Sequence, residues 1–172
     1  MKELILGGVR SGKSRLAEQH ARAAGGEVCY IATATAEDAE MRQRIARHRQ
    51  RRPSAWRLIE EPLRLATVLR QQAAADRCLL VDCLSLWLTN LLLAGDADLL
   101  AREREALLET LPDLPGRIIL VSNETGMGIV PVAELARRFC DEAGLLHQAL
   151  AGICDRVILT VAGLPHVLKG EK

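Results

Sequence analysis

Aromatic side chains are scarce in this chain: Trp56, Trp87, Tyr30 and Phe139 make up only 2% of 172 residues. Stacking platforms of the kind used by single-strand nucleic-acid binders are therefore not expected, and the core has to be built from Leu, Val, Ile and Ala. Net charge is almost absent as well. Twenty-three lysines and arginines against 22 aspartates and glutamates leave a formal charge of +1, so no global field draws the chain to nucleic acid or to a membrane surface. No apolar run approaches the roughly 20 residues that span a bilayer. The start, "MKELILGGVRSGKS", has an apolar run too short for a signal peptide. The five cysteines (Cys29, Cys78, Cys83, Cys140, Cys154) form no C-x-x-C pair and are odd in number. They fit reduced core thiols in a cytoplasmic protein rather than a disulfide frame or a zinc site. The expectation is a soluble, cytoplasmic chain forming one domain over residues 1–172, with no nucleic-acid or membrane partner.

What the sequence does contain is alternation. Short apolar runs at 3–7, 28–33, 77–83, 117–123 and 156–163 read as buried strands, with "WRLIE" (56–60) as a further candidate. Segments with helical spacing lie between them, at 13–24, 37–50, 62–74, 84–94, 97–111 and 132–151. Strands that are apolar on both faces and alternate with helices predict an α/β fold, a mainly parallel sheet with helices on both faces. Pro53, Pro62, Pro112, Pro115 and Pro131 fall at the joints.

The first joint carries chemistry. "GGVRSGKS" fits G-x-x-x-x-G-K-[ST], with an apolar strand before it and a helix pattern after it. Gly7, Gly8, Val9, Arg10, Ser11 and Gly12 would turn backbone N–H groups toward phosphate oxygens. Lys13 would supply positive charge to the outer phosphates, and the Ser14 hydroxyl could ligate Mg²⁺. A P-loop needs an acid for the metal on a neighbouring strand. Asp82, at the end of "CLLVDC", suits that role, or else caps the following helix. "TAT" (Thr33, Ala34, Thr35) ends another strand, where α/β proteins bind ligands, although Thr33 could simply cap a helix. "SNETGMGIVP" (122–131), with Asn123 and Glu124, is a polar strand-end loop that reads equally as a functional or a connecting segment.

"ARHRQRRP" (46–53) sets one histidine among arginines. At helical spacing Arg44, Arg47, His48, Arg51 and Arg52 share one broad face. That face could be merely solvated, but a phosphate cradle elsewhere in the chain gives the arginines something to grip. Neighbouring guanidiniums disfavour the imidazolium, so His48 would stay neutral and nucleophilic. They would also stabilise charge on a phosphate under attack. This suits a covalent nucleotidyl-histidine. His20, His147 and His166 lack such a setting and read as structural or exposed.

Together "GGVRSGKS", "YIATATA", "DAEMRQRIARHRQRRP", "W-x-x-I-E", "LLVDCLSLWLTNLL" and "VSNETGMGIVP" resemble the bifunctional adenosylcobinamide kinase/adenosylcobinamide-phosphate guanylyltransferases, from about residue 4 to 164. The resemblance implies a P-loop fold related to recombinase cores and a homotrimer. It also implies two reactions: phosphorylation of adenosylcobinamide by ATP or another nucleoside triphosphate, then transfer of GMP from GTP to adenosylcobinamide phosphate. The second passes through a GMP-histidine and releases pyrophosphate. By position, His48 matches the guanylylated histidine and residues 7–14 the P-loop. Thr33, Ala34, Thr35, Arg49, Gln50, Arg51 and Arg52 match nucleotide contacts, and Glu60 and Asp82 nucleotide-site acids. Arg47 stands where some members carry a second histidine, and Asp82 where some carry glutamate. The rival readings are a simple P-loop small-molecule kinase and a recombinase-type, nucleic-acid-stimulated ATPase. Near-neutral charge and few aromatics count against the latter.

Overall fold

The computed structural model describes residues 1–35, 43 and 53–171. Apart from residue 43, the helix expected at 37–50 lies outside the described residues, as do His48, Arg49, Gln50, Arg51 and Arg52.

Seven strands form one sheet: β1 (Lys2–Gly7), β2 (Glu27–Ala32), β3 (Arg57–Glu60), β4 (Arg77–Asp82), β5 (Arg117–Asn123), β6 (Arg156–Val161) and β7 (Leu164–Lys169), in the order β3-β2-β4-β5-β1-β6-β7. All neighbours pair parallel except β6 with β7. The helices are α1 (Lys13–Ala23), α2 (Leu65–Gln72), α3 (Leu84–Leu93), α4 (Ala97–Thr110) and α5 (Glu134–Ile153). Side chains alternate across the pleat, and the two faces are covered unequally. Leu4, Leu6, Ile31, Val81 and Leu120 pack beneath α2 to α5, around the fully buried Trp87. Ile5, Tyr30, Leu80 and Val121 face Ala17 and Ala21 of α1. The fold is therefore the expected P-loop α/β arrangement, with β5 inserted between the strand that leads into the glycine-rich turn and the strand that ends at Asp82.

Three local departures have physical causes. Helix α2 starts at Leu65 rather than 62, because the Glu61 carboxylate accepts the N–H groups of Leu63 and Arg64 (2.8 and 2.7 Å) and holds the chain outside the helix. Helix α5 runs Glu134–Ile153, two residues later than its apolar spacing suggested. Strand β7 was not expected. Ala162 and Gly163, both at positive φ (52° and 82°), make a two-residue hairpin turn inside what reads as one apolar run. The returning strand is mostly exposed, so it carries no two-sided apolar signal.

The thiols are all free, with Cys29, Cys78, Cys83 and Cys154 buried and Cys140 partly so. Burial pushes Cys78 and Cys83 up to about 11 and Cys154 up to about 12, so these sulfurs stay protonated. Among the described residues no helix is long and apolar enough to cross a membrane.

Candidate nucleotide site

Register brings the candidate residues to one edge. Gly7 pairs with Asn123 and Thr160, Asp82 with Ala32 and Val121, and Ala32 with Glu60. All are at the carboxyl ends of parallel strands, the rim where open α/β sheets take ligands.

At the centre of that rim the chain leaves β1, turns tightly and enters α1. The turn is held from within by Ser11 N–H donating to Gly8 O (3.2 Å), and from below by Gly163 N–H of the β6–β7 turn donating to Ser11 O (2.8 Å). Glycine is required where a Cβ has no room. A Cβ on Gly7 would lie 2.4 Å from Ser11 Oγ and 2.6 Å from Thr160 O, whereas Gly8 faces open space. Gly12 adopts φ 98° and Arg10 φ 58°, so the turn uses left-handed backbone twice. Lys13 opens α1 nearly buried, with Nζ donating to Gly8 O (3.1 Å). Burial pulls the lysine below its ordinary value, while the negative charge of Asp82 works the other way. Ser11 Oγ and Thr160 Oγ1, on either side of Gly7, are buried with no hydrogen-bond partner among the described residues. Unpaired buried hydroxyls on either side of a glycine-rich turn at the start of a helix suit a phosphate cradle.

Two strands away, about 10 Å at ordinary strand spacing, Asp82 Oδ2 accepts the Tyr30 hydroxyl (3.0 Å). Thr33 is fully buried, and its hydroxyl both donates to Cys83 O (2.7 Å) and accepts from Cys83 N–H (3.0 Å), which braces the end of β2 against that of β4. Asn90 of α3 continues the brace, donating to Thr33 O (2.8 Å) and Pro62 O (3.1 Å), with Thr35 Oγ1 3.5 Å from its Oδ1. Glu60 ends β3 on the outside of the sheet, about 19 Å from β1 across four strand spacings. The structure thus brings the glycine-rich turn, Lys13 and Asp82 together, uses Thr33 as a strut, and leaves Glu60 peripheral.

Between the turn and Asp82 lies the end of β5. Glu124 N–H donates to Gly7 O (3.0 Å), so the 122–131 loop departs directly against the cradle. Its carboxylate accepts Gly126 N–H at Oε1 (2.6 Å) and faces His147 Nδ1 at Oε2 (3.7 Å). His147 Nε2 meets Ser122 Oγ (2.8 Å), which meets Ser85 Oγ (3.3 Å), and Ser85 Oγ accepts Asn123 N–H (2.6 Å). Burial holds His147 below its ordinary value, and Glu124 only partly offsets that. Sequence reading singled out Glu124 but missed His147, Ser85 and Asn90. Each reaches the rim from the interior of a helix or its first turn, and no local pattern marks such a residue.

A parallel sheet whose first strand turns through glycines into a helix opened by a buried lysine, with an aspartate at the end of a nearby strand, defines a P-loop nucleotide-binding protein. The family model for cobinamide kinase / cobinamide phosphate guanyltransferase matches residues 3–168, and the chain belongs to that family. It is 67% identical over 171 residues to the bifunctional adenosylcobalamin biosynthesis protein CobP of Pseudomonas aeruginosa, covering 99% of both chains. It is 41% identical over 180 residues to the bifunctional adenosylcobalamin biosynthesis protein CobU of Salmonella typhimurium, covering 95% of this chain and 97% of that one. A solved structure from Pyrococcus horikoshii OT3 superposes with a TM-score of 0.57 at 9% identity, over 99% of this chain and 87% of that one, a likeness of fold alone. The protein is accordingly an enzyme of cobalamin biosynthesis with kinase and nucleotidyltransferase activities on cobinamide.

Proposed function

We propose that the chain phosphorylates the hydroxyl of adenosylcobinamide's aminopropanol arm with ATP or another nucleoside triphosphate, then moves GMP from GTP onto the new phosphate. The second transfer passes through a GMP–His48 intermediate and yields adenosylcobinamide-GDP and pyrophosphate. The observation that carries this reading is the cradle itself: Lys13 is nearly buried and bonded inside a turn at which Gly7 has no room for a Cβ, within a family match over residues 3–168. Gly7, Gly8, Val9, Arg10, Ser11, Gly12, Lys13 and Ser14 hold the phosphates. Ala34, Thr35, Arg49, Gln50, Arg51, Arg52 and Glu60 contact the nucleotide, and Thr33 shapes its wall. Ser14 and Asp82 are hard oxygen donors that fit Mg²⁺. The described residues contain no group of three or more His, Cys, Asp or Glu that could hold a metal, which suits an ion that takes its other ligands from phosphates and water. Bound there, the ion neutralises phosphate charge.

Both activities reside in one cytoplasmic domain acting without nucleic acid or membrane. That domain assembles as a homotrimer, for which the exposed apolar loop Met127, Ile129, Val130 and Val132 supplies contact surface. The test uses GTP labelled in its α-phosphate. Label should stay on the denatured protein, survive alkali and leave in acid, as a phosphoramidate does. His48→Ala should abolish labelling while cobinamide phosphorylation continues. Normal labelling of His48→Ala would remove the nucleophile assignment, and no protein-bound guanylate at all would reduce the protein to a plain kinase.

A further inference from the structure

Phosphorylating an alcohol requires somewhere for its proton to go, and the residues assigned so far leave that place unfilled. Of the acids at the carboxyl rim, Asp82 is engaged by Tyr30 and lies in the field of Lys13. Glu61 Oε1 holds the N–H groups of Leu63 and Arg64. Glu60 is on the far strand of the sheet. Glu124 differs from all three. Its backbone is bonded to the first residue of the glycine-rich turn, and its carboxylate is partly exposed, 19% by side-chain accessibility.

That carboxylate is also held from behind. Oε1 takes Gly126 N–H, and Oε2 faces the imidazole of His147, itself backed by Ser122 and Ser85. The hydrogen-bond directions follow from the partners. A bare Nδ1 would set a lone pair against a carboxylate, so Nδ1 carries the proton and Nε2 accepts from Ser122. Ser122 then accepts from Ser85, which accepts Asn123 N–H. Ser85, Ser122 and His147 Nε2 are hydrogen-bonded in a row, and the row ends with Nδ1 at 3.7 Å from Glu124 Oε2, an electrostatic contact that biases how that carboxylate turns. A core histidine needs one partner to be stable; this one is aligned on two, and the second is an acid at the phosphate rim. Its depressed basicity keeps the ring neutral, so it orients Glu124 without neutralising it.

We propose that Glu124 accepts the proton of the cobinamide hydroxyl in the phosphorylation step, and that His147 is the positioning residue that aims the Glu124 carboxylate. The inference rests on the two-reaction reading above. In the step, the hydroxyl O–H bond breaks and its proton passes to Glu124. The freed electron pair forms the bond to the γ-phosphorus, and the bond from that phosphorus to the β,γ-bridging oxygen breaks, its pair leaving with the nucleoside diphosphate. Glu124 then releases the proton to water. The guanylyl step begins with a neutral imidazole and has no hydroxyl proton to remove, so Glu124 serves the first reaction only.

That division supplies the test. Phosphorylation of cobinamide by ATP and labelling of the protein by α-labelled GTP are measured side by side on the full chain. Glu124→Gln should lower kcat for phosphorylation by at least about a hundredfold, the usual worth of a general base, with KM for ATP little changed. Labelling should fall far less, which also reports that the variant is folded. Formate added to Glu124→Ala should restore phosphorylation in a saturable way. His147→Leu should lower kcat by tens of fold through misplacement of the carboxylate, and His147→Gln, which keeps a donor and an acceptor, should fall between it and the native chain. Phosphorylation by Glu124→Gln at the native rate overturns the proposal. So does a parallel loss of both activities, or a Glu124→Ala enzyme that formate leaves unchanged. A native chain that incorporates guanylate but phosphorylates no cobinamide overturns the two-reaction reading itself.

Discussion

Glu3, at the start of β1, is fully buried, and its carboxylate meets the His20 imidazole (2.8 Å) and the guanidiniums of Arg117 (3.1 Å) and Arg156 (3.8 Å). Burial by itself would push this carboxyl up, but His20 and Arg117 outweigh it and hold it below its ordinary 4.5. Glu3→Gln removes a fully buried carboxylate from two half-buried guanidiniums and should cost about 3 kcal/mol of stability, read as a lower denaturant midpoint at pH 7. The sign of the pH dependence follows from linkage. An acid whose folded pKa is depressed contributes fully above its unfolded value and loses that contribution as pH falls through the folded one. His147 acts on the same side for the opposite reason. Its folded pKa lies below the ordinary 6.5, so the unfolded chain takes up the proton first, and stability declines as pH drops below 6.5. Thermal melts should therefore shift down between neutrality and pH 5, and the shift should shrink in His147→Gln. Lys13→Ala, by removing the buried cation of the cradle, should lower cobinamide phosphorylation by about a hundredfold or more.

At the scale of elements, the glycine-rich turn is a joint between three strands rather than a loop on the surface. The β6–β7 hairpin donates Gly163 N–H to Ser11 O, Glu124 just beyond β5 donates its N–H to Gly7 O, and Thr160 O closes the space over Gly7. Gly7→Ala sets a methyl 2.6 Å from a backbone oxygen that cannot move without shifting β6. The expected outcome is a loss of about 2 kcal/mol from overpacking together with at least tenfold weaker GTP binding by calorimetry. Gly8→Ala, whose added carbon meets open space, should change stability little. The strand-turn-helix itself was readable from "ELILGGVRSGKS", because an apolar run, glycines and a lysine in that order have few other uses. The hairpin beneath it was not. Leu164–Lys169 is exposed, and its turn hides in an apolar run, so strand and brace became visible only through pairing.

Across the whole molecule, the carboxyl rim runs from Glu60 to Thr160 with the cradle near one end and the acids spread along it. The loop beyond β5 leaves Met127, Ile129, Val130 and Val132 exposed at 76, 97, 72 and 93%, an apolar surface that assembly would cover. If the chain forms the proposed homotrimer through this surface, the native chain should sediment as a trimer and Ile129→Asp as smaller species at micromolar concentration; a trimer that Ile129→Asp leaves unchanged would place the contact elsewhere.

From the sequence alone came the class of fold, the phosphate turn and the strand-end acids, because these depend on local order: apolar period, glycine spacing and charge within a few residues. His48 among its arginines is likewise a reading of local order, on residues outside the described ones. Only the tertiary structure decided that Thr33 is a strut, that Glu60 stands four strands from the cradle, and that a helix histidine 23 residues downstream of Glu124 faces that carboxylate. Those facts depend on strand order and helix placement, which follow from how the two faces of the sheet are buried and leave no mark within any single segment.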